Sequence, residues 1–193
     1  MLLTPRKSTT TPPTGDIIRK RLWLLGVQLL CILTISAGFQ PAALAQTKQA
    51  PAFDLESMDG ARFSSKALEG KVVLVDFWAT WCAPCIAEIP HWNELCGKYR
   101  DKGFVVLGVT IRSGWASDIK PDVKRLKITY PVVVGDDNLE QGFGGIWGFP
   151  TTFLVNRKGQ IYKKYTGTYP QKQEQIDTDI QKLLVEKPLE AAK

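Results

Sequence analysis

Lys71 to Pro90 reads KVVLVDFWATWCAPCIAEIP. Its first half, Lys71 to Ala79, is a continuous apolar and β-branched run of strand length. That is the signature of a strand covered on both faces and therefore central in a sheet. Past Cys82 the apolar residues Ile86, Ile89, Trp92, Leu95 and Tyr99 recur every three or four positions, as a helix requires, and Pro90 inside it predicts a kink. Cys82 and Cys85 stand two residues apart at the joint between strand and helix, so they are a redox pair, half of a metal site or a structural staple.

Outward from this joint the pattern alternates. Upstream, FDLESMDGARFS from Phe53 predicts a small hairpin turning at Asp59-Gly60. Downstream, Gly103 to Ile111 (GFVVLGVTI) predicts a second buried strand, and SDIKPDVKRLKI a short helix capped by Ser117 or Asp118. Tyr130 to Val134 is a brief extended piece, and Gly142 to Gly148 a glycine-rich loop or single helical turn. Thr151 to Gly167 predicts a hairpin turning at Lys158-Gly159, and Gln171 to Glu186, with Ile176, Ile180, Leu183 and Leu184, a terminal amphipathic helix. Strands alternating with helices make this an α/β layer fold with a mixed central sheet flanked by helices. The first crossovers are long enough for parallel pairing, while the late hairpin forces an antiparallel one.

The first 45 of the 193 residues differ in kind. Arg19, Lys20 and Arg21 precede an apolar run from Leu22 to Phe39, followed by Ala43-Leu44-Ala45. This order reads as a secretory signal peptide cut after Ala45, or else as an uncleaved N-terminal membrane anchor. Either reading places the remainder outside the cytoplasm, most simply in a periplasm. Cys31 follows Leu30, which does not fit a lipoprotein cleavage site. Residues 1–45 carry +4 of the formal +6, leaving +2 for the rest, so the basic balance is a targeting feature and not a nucleic-acid footprint. The expected domains are 1–45, signal or anchor; 46–52, linker; 53–187, the folded domain; and 188–193, a tail.

Three cysteines remain in an oxidising compartment. A structural zinc commonly takes four ligands, and here the pair could recruit only Cys96 and His91, both on the same helix, which cannot easily gather all four. A staple across two residues removes little chain entropy. The redox reading has a physical basis: unsatisfied N–H groups and the dipole at a helix N-terminus stabilise a thiolate. Cys82, at the helix start, is the expected attacking sulfur. Cys85, one turn further in, is the resolving thiol, and the fixed φ of Pro84 suits the helix start.

At this point the residues resemble a family. FWATWCAPC resembles the thioredoxin superfamily, and VVLVDFWATWCAPCIAEIP together with GFPTTFLVNRKGQI (Gly148 to Ile161) is similar to extracytoplasmic thiol-disulfide oxidoreductases of the TlpA/ResA type. The resemblance spans about Ala50 to Leu184. It implies a thioredoxin fold with an added N-terminal β-hairpin and a central αβ insertion. It also implies a cis Phe149-Pro150 peptide in a loop that faces the dithiol and pairs with substrate backbone. Trp81, Ala83, Pro84, Phe149 and Pro150 become the substrate-binding candidates.

The resemblance also carries over two carboxylates. Asp76 matches a buried acid of thioredoxin and Glu88 a glutamate typical of the TlpA/ResA type. Burial would raise the pKa of each and suit it to exchange a proton with Cys85. Many relatives carry a neutral residue at the position of Asp76, so the choice between the two stays open. Cys96 reads as a buried, inert thiol. The implied activity needs no cofactor and no metal. Its partners are protein dithiols and disulfides, with a membrane thiol reductase as electron donor; nucleic acid plays no part, and membrane contact is only through an uncleaved N-terminus. Reduction outside the cytoplasm, for example of apocytochrome c haem-binding cysteines, is the direction the family implies. A peroxiredoxin-like peroxidase and a non-catalytic binding module on the same fold are the alternatives. Against the former, Phe77 to Trp81 offers Thr80 but no proline ahead of the cysteine.

Overall fold

The computed structural model describes residues 48–186. The signal or anchor reading of residues 1–45 and the tail 188–193 lie outside them. Strands β1 (Asp54–Glu56) and β2 (Arg62–Ser64) form an antiparallel hairpin, followed by a short 3-10 turn at Ser65–Leu68. Then come β3 (Val72–Trp78), α1 (Ala83–Tyr99), β4 (Phe104–Thr110), α2 (Ala116–Arg125), β5 (Val132–Val134) and α3 (Asp137–Gly142). The chain ends in β6 (Thr151–Val155), β7 (Ile161–Thr166) and α4 (Lys172–Val185). Among the described residues no helix is long and apolar enough to cross a membrane.

The main sheet has the order β5-β4-β3-β6-β7, with β3 at its centre. β3 pairs in parallel with β4 and antiparallel with β6, so the sheet is mixed, and all seven residues of β3 are buried. The period-two alternation of a strand divides them between two cores. Val72, Leu74 and Trp78 face one core with Trp92 and Leu95 of α1, Ile119 of α2 and Ile176, Ile180 and Leu183 of α4. Val73, Val75 and Phe77 face the other, with Leu107, Phe143 and Phe153. Phe53, Leu55 and Phe63 from the hairpin region pack over this second core, which is why the sheet needs the added hairpin: among the described residues no long helix covers that face.

Both sheet edges are tied by the N-terminal segment. Met58 N donates to Val132 O at 2.8 Å beside β5. At the other side Ala50 N donates to Gly159 O and Ile161 N to Lys48 O, with Gln49 bridging Gln160. Residues 48–50, read from sequence as linker, therefore cover the β6–β7 turn, and unpaired edge groups are satisfied at both ends.

Two local expectations change. α2 begins after Trp115 instead of at Ser117 or Asp118: the Asp118 carboxylate reaches back one turn and accepts from Trp115 N at 2.9 Å. A helix, α3, stands just ahead of the Gly142–Gly148 stretch, over residues to which no element was assigned, because the Asp136 carboxylate accepts from Leu139 N at 2.8 Å and caps it. α1 runs through Pro90 as one helix, with Pro90 on its exposed side. The late hairpin turns at Lys158-Gly159 as expected, Gly159 taking φ +72°.

Candidate active site

The N-terminus of α1 organises the site. Cys82 is its N-cap residue, and Cys82 Sγ accepts a hydrogen bond from Cys85 N at 3.3 Å. The two cysteines are joined as a disulfide, their Cα atoms 5.3 Å apart. Their access differs: Cys82 retains 5% of its surface and Cys85 none. Ala83 and Pro84, between them, are exposed and lie in the first turn of the helix. A sulfur at the helix end, aimed at free backbone donors, is the one that ionises readily, and the enclosed sulfur can be reached only from its neighbour.

Three loops meet beside the disulfide. Trp81 is 62% exposed, and its ring stands edge-on to Phe149 at 5.5 Å. Trp81 Nε1 donates to Arg112 O at 2.8 Å, and Thr80 N donates to Ser113 Oγ at 3.0 Å. Arg112 sits at φ +53°, and its guanidinium lies over the Phe149 ring at 5.6 Å while donating to Ile146 O and to Glu140. The Phe149-Pro150 peptide is cis. Of the sequence-predicted residues, Ala83 and Pro84 lie in the first turn of α1, while Trp81, Phe149 and Pro150 come from loops that Trp81 and Arg112 join.

Behind the disulfide lie both predicted carboxylates, Asp76 on β3 and Glu88 on α1, each less than 5% exposed. Thr152 Oγ1 donates to Asp76 Oδ1 at 2.9 Å, and Asp76 Oδ2 has no hydrogen-bond partner among the described residues. Burial, then the negative charge of Glu88, push the Asp76 carboxyl up to about 7 against the Thr152 hydrogen bond. Burial also raises Glu88, opposed by a lysine that the sequence reading missed: Lys172 Nζ lies 2.7 and 2.9 Å from the two Glu88 oxygens. A signal for it existed. Lys172 falls in register with Ile176, Ile180 and Leu183 on α4, so the lysine continues the inward stripe of that helix.

The remaining candidates are packed. Trp78 is buried in the core, Cys96 is buried and free, and His91 is half-buried against Trp92, with burial lowering its pKa. Among the described residues no three His, Cys, Asp or Glu side chains gather closely enough to hold a metal ion.

A solvent-edge sulfur at a helix N-terminus, an enclosed second sulfur bonded to it and buried carboxylates behind them form a site for thiol-disulfide exchange. The AhpC/TSA family profile matches residues 47–164. The chain belongs to the AhpC/TSA family. ResA thiol-disulfide oxidoreductases from Halalkalibacterium halodurans and Geobacillus thermodenitrificans are each 32% identical to it. The alignments span 77% and 78% of this chain and 88% and 90% of those relatives. A crystal structure of a thioredoxin-family thiol:disulfide interchange protein from Chlorobium tepidum superposes with a TM-score of 0.66 at 31% identity. That superposition covers 74% of this chain and 99% of the other. The chain is therefore a thioredoxin-fold thiol-disulfide oxidoreductase of the ResA type, and Cys82-Cys85 is its disulfide.

Proposed function

We propose that this oxidoreductase works outside the cytoplasm as a reductant of disulfides in partner proteins, such as the haem-binding cysteines of an apocytochrome c, and is recharged by a membrane thiol reductase. The supporting observation is the unequal access of the two sulfurs, 5% for Cys82 and none for Cys85, with two buried carboxyls behind them. The export signal or anchor read in residues 1–45 supports the compartment.

In the reduced enzyme the Cys82 thiolate attacks one sulfur of the partner disulfide, and the other partner sulfur leaves as a thiolate that takes a proton from water. Cys85 then loses its proton to a buried carboxylate and attacks Cys82. The Cys82–Cys85 bond forms, the bond from Cys82 to the partner breaks, and the second partner sulfur leaves with its electron pair. Two electrons have passed to the partner. Its backbone would lie across Trp81, Ala83, Pro84, Phe149 and Pro150.

The test is trapping. Cys85→Ala cannot complete the second step, so expressed in its native compartment it should accumulate mixed disulfides on Cys82 with identifiable clients. A lane with no trapped protein would overturn the proposal. A wild-type pair found mainly oxidised in cells would reverse the direction, and hydrogen peroxide consumption with a thiol donor above background would favour a peroxidase.

A further inference from the structure

Lys172 stands where a lysine is disfavoured in two ways. It is 1% exposed, although an isolated ammonium loses its hydration on burial. It is the first residue of α4, the end of a helix at which the dipole repels a cation. An apolar residue at this point of the Ile176, Ile180 and Leu183 stripe would pack without those costs. What compensates the ammonium is one partner: its only hydrogen bonds among the described residues are the two to Glu88.

Glu88 lies three residues past Cys85 on α1, hence on the same face of the helix, one turn from the resolving sulfur. The titratable groups that face it are Cys85 on its own helix, Asp76 from β3, Tyr130 from the segment before β5 and Lys172 from α4. Lys172 alone among these is cationic. The pair also has access to water. A groove of about 590 Å³ opens between the first turns of α1 and α4, bounded by Pro84, Ala87, Tyr169 and Gln171, with Glu88 and Lys172 in its wall.

We propose that Lys172 is a positioning residue for the resolving step: its ammonium keeps Glu88 ionised despite burial, so that a carboxylate is present to take the proton of Cys85. This rests on the exchange reaction proposed above. In the mixed disulfide, the Cys85 thiol gives its proton to Glu88 and its sulfur bonds to Cys82. The bond from Cys82 to the partner sulfur breaks, and the electron pair departs on that sulfur. Glu88 then releases its proton to water in the groove. Without Lys172 burial acts unopposed on the carboxyl and favours its protonated form, which cannot take the proton.

The test follows the lifetime of the mixed disulfide. The reduced full-length chain is mixed with oxidised glutathione, quenched in acid and weighed, so that formation and decay of the glutathione adduct on Cys82 are read separately between about pH 5 and 9. Lys172→Met should move the acid limb of adduct decay up by about one pH unit or more, slowing decay about tenfold near pH 6, with little change near pH 9. In a Glu88→Gln background the same lysine substitution should change decay less than about twofold, because its effect passes through the carboxylate. Glu88→Gln leaves the Lys172 ammonium unpaired. If either single variant does not fold, the double variant, which buries no unpaired charge, is compared with wild type, and adduct decay as fast as wild type near pH 6 would overturn the role of the pair. A fall of equal size at every pH, or a fall that is undiminished in the Glu88→Gln background, would overturn the role of Lys172. A wild-type chain that never forms the adduct would instead overturn the exchange reaction itself.

Discussion

Thr152 Oγ1 donates to Asp76 Oδ1 across directly paired positions of β3 and β6, and among the described residues it is the one hydrogen bond that the fully buried carboxyl receives. The folded-state pKa of Asp76 stands at about 7 against 3.8 for an unperturbed aspartate, with burial the main cause and Glu88 the next. A raised carboxyl favours the folded state below its unfolded pKa and loses that advantage as pH climbs through its folded value. Between pH 5 and 9 this one group should therefore remove roughly 3 kcal/mol of stability, taking about 1.4 kcal/mol per unit over the two units below 7. Asp76→Asn should flatten that decline, becoming the more stable protein at pH 9. Urea denaturation at the two pH values measures it, and parallel declines in both proteins would refute it.

The Glu88–Lys172 pair has a stability consequence separate from its chemistry. Breaking it by Lys172→Met leaves a carboxyl enclosed without its partner, which typically costs about 3–5 kcal/mol for a fully buried pair at neutral pH. Replacing both members, Glu88→Leu with Lys172→Met, should restore wild-type stability or exceed it while abolishing fast resolution. Denaturant midpoints of the single and double variants provide the comparison.

Arg157 holds three chain ends together. Its guanidinium donates to Gly70 O at 2.8 Å, Lys102 O at 3.1 Å and Leu184 O at 3.3 Å, joining the approaches to β3 and β4 to the end of α4. Arg157→Met keeps the buried stem but strands the three carbonyls, so unfolding should become easier by about 2–4 kcal/mol. Arg157→Lys should recover little, since a single ammonium cannot span a planar fork. A thermal melt of each variant tests this, with exchange rates at 25 °C expected to stay near wild type.

The parts visible in the sequence are those governed by local pattern. β3 and α1 announce themselves because a two-sided buried strand and a three-four helical repeat leave clear traces around Cys82 and Cys85. α3 left none: at six residues it contributes a single buried apolar side chain, Leu139, and owes its start to Asp136. Lys172 was missed for a different reason. Apolar periodicity treats a lysine as solvated, and only the tertiary approach of α1 to α4 shows that this one faces Glu88. The Thr152–Asp76 hydrogen bond likewise depends on strand register between residues 76 positions apart, which no local pattern encodes.

Arg112 offers a way to separate partner docking from sulfur chemistry. Its backbone carbonyl holds Trp81, while its side chain holds the loop before Pro150 through Ile146 O and Phe149, and α3 through Glu140. Because Arg112 sits at φ +53°, glycine takes its place without backbone strain, and Arg112→Gly removes only the side-chain ties. The guanidinium is half exposed, so each tie is weakened by solvent, and the summed loss should be about 1–2 kcal/mol. If the aligned Trp81 and Phe149 surface positions a protein partner, that loss should appear as about a 5- to 30-fold fall in kcat/KM for a protein disulfide such as insulin, carried mainly by KM. Oxidised glutathione, too small to span the surface, should react at nearly the wild-type rate. Equal losses on both substrates would place the side chain in the exchange chemistry instead of in docking.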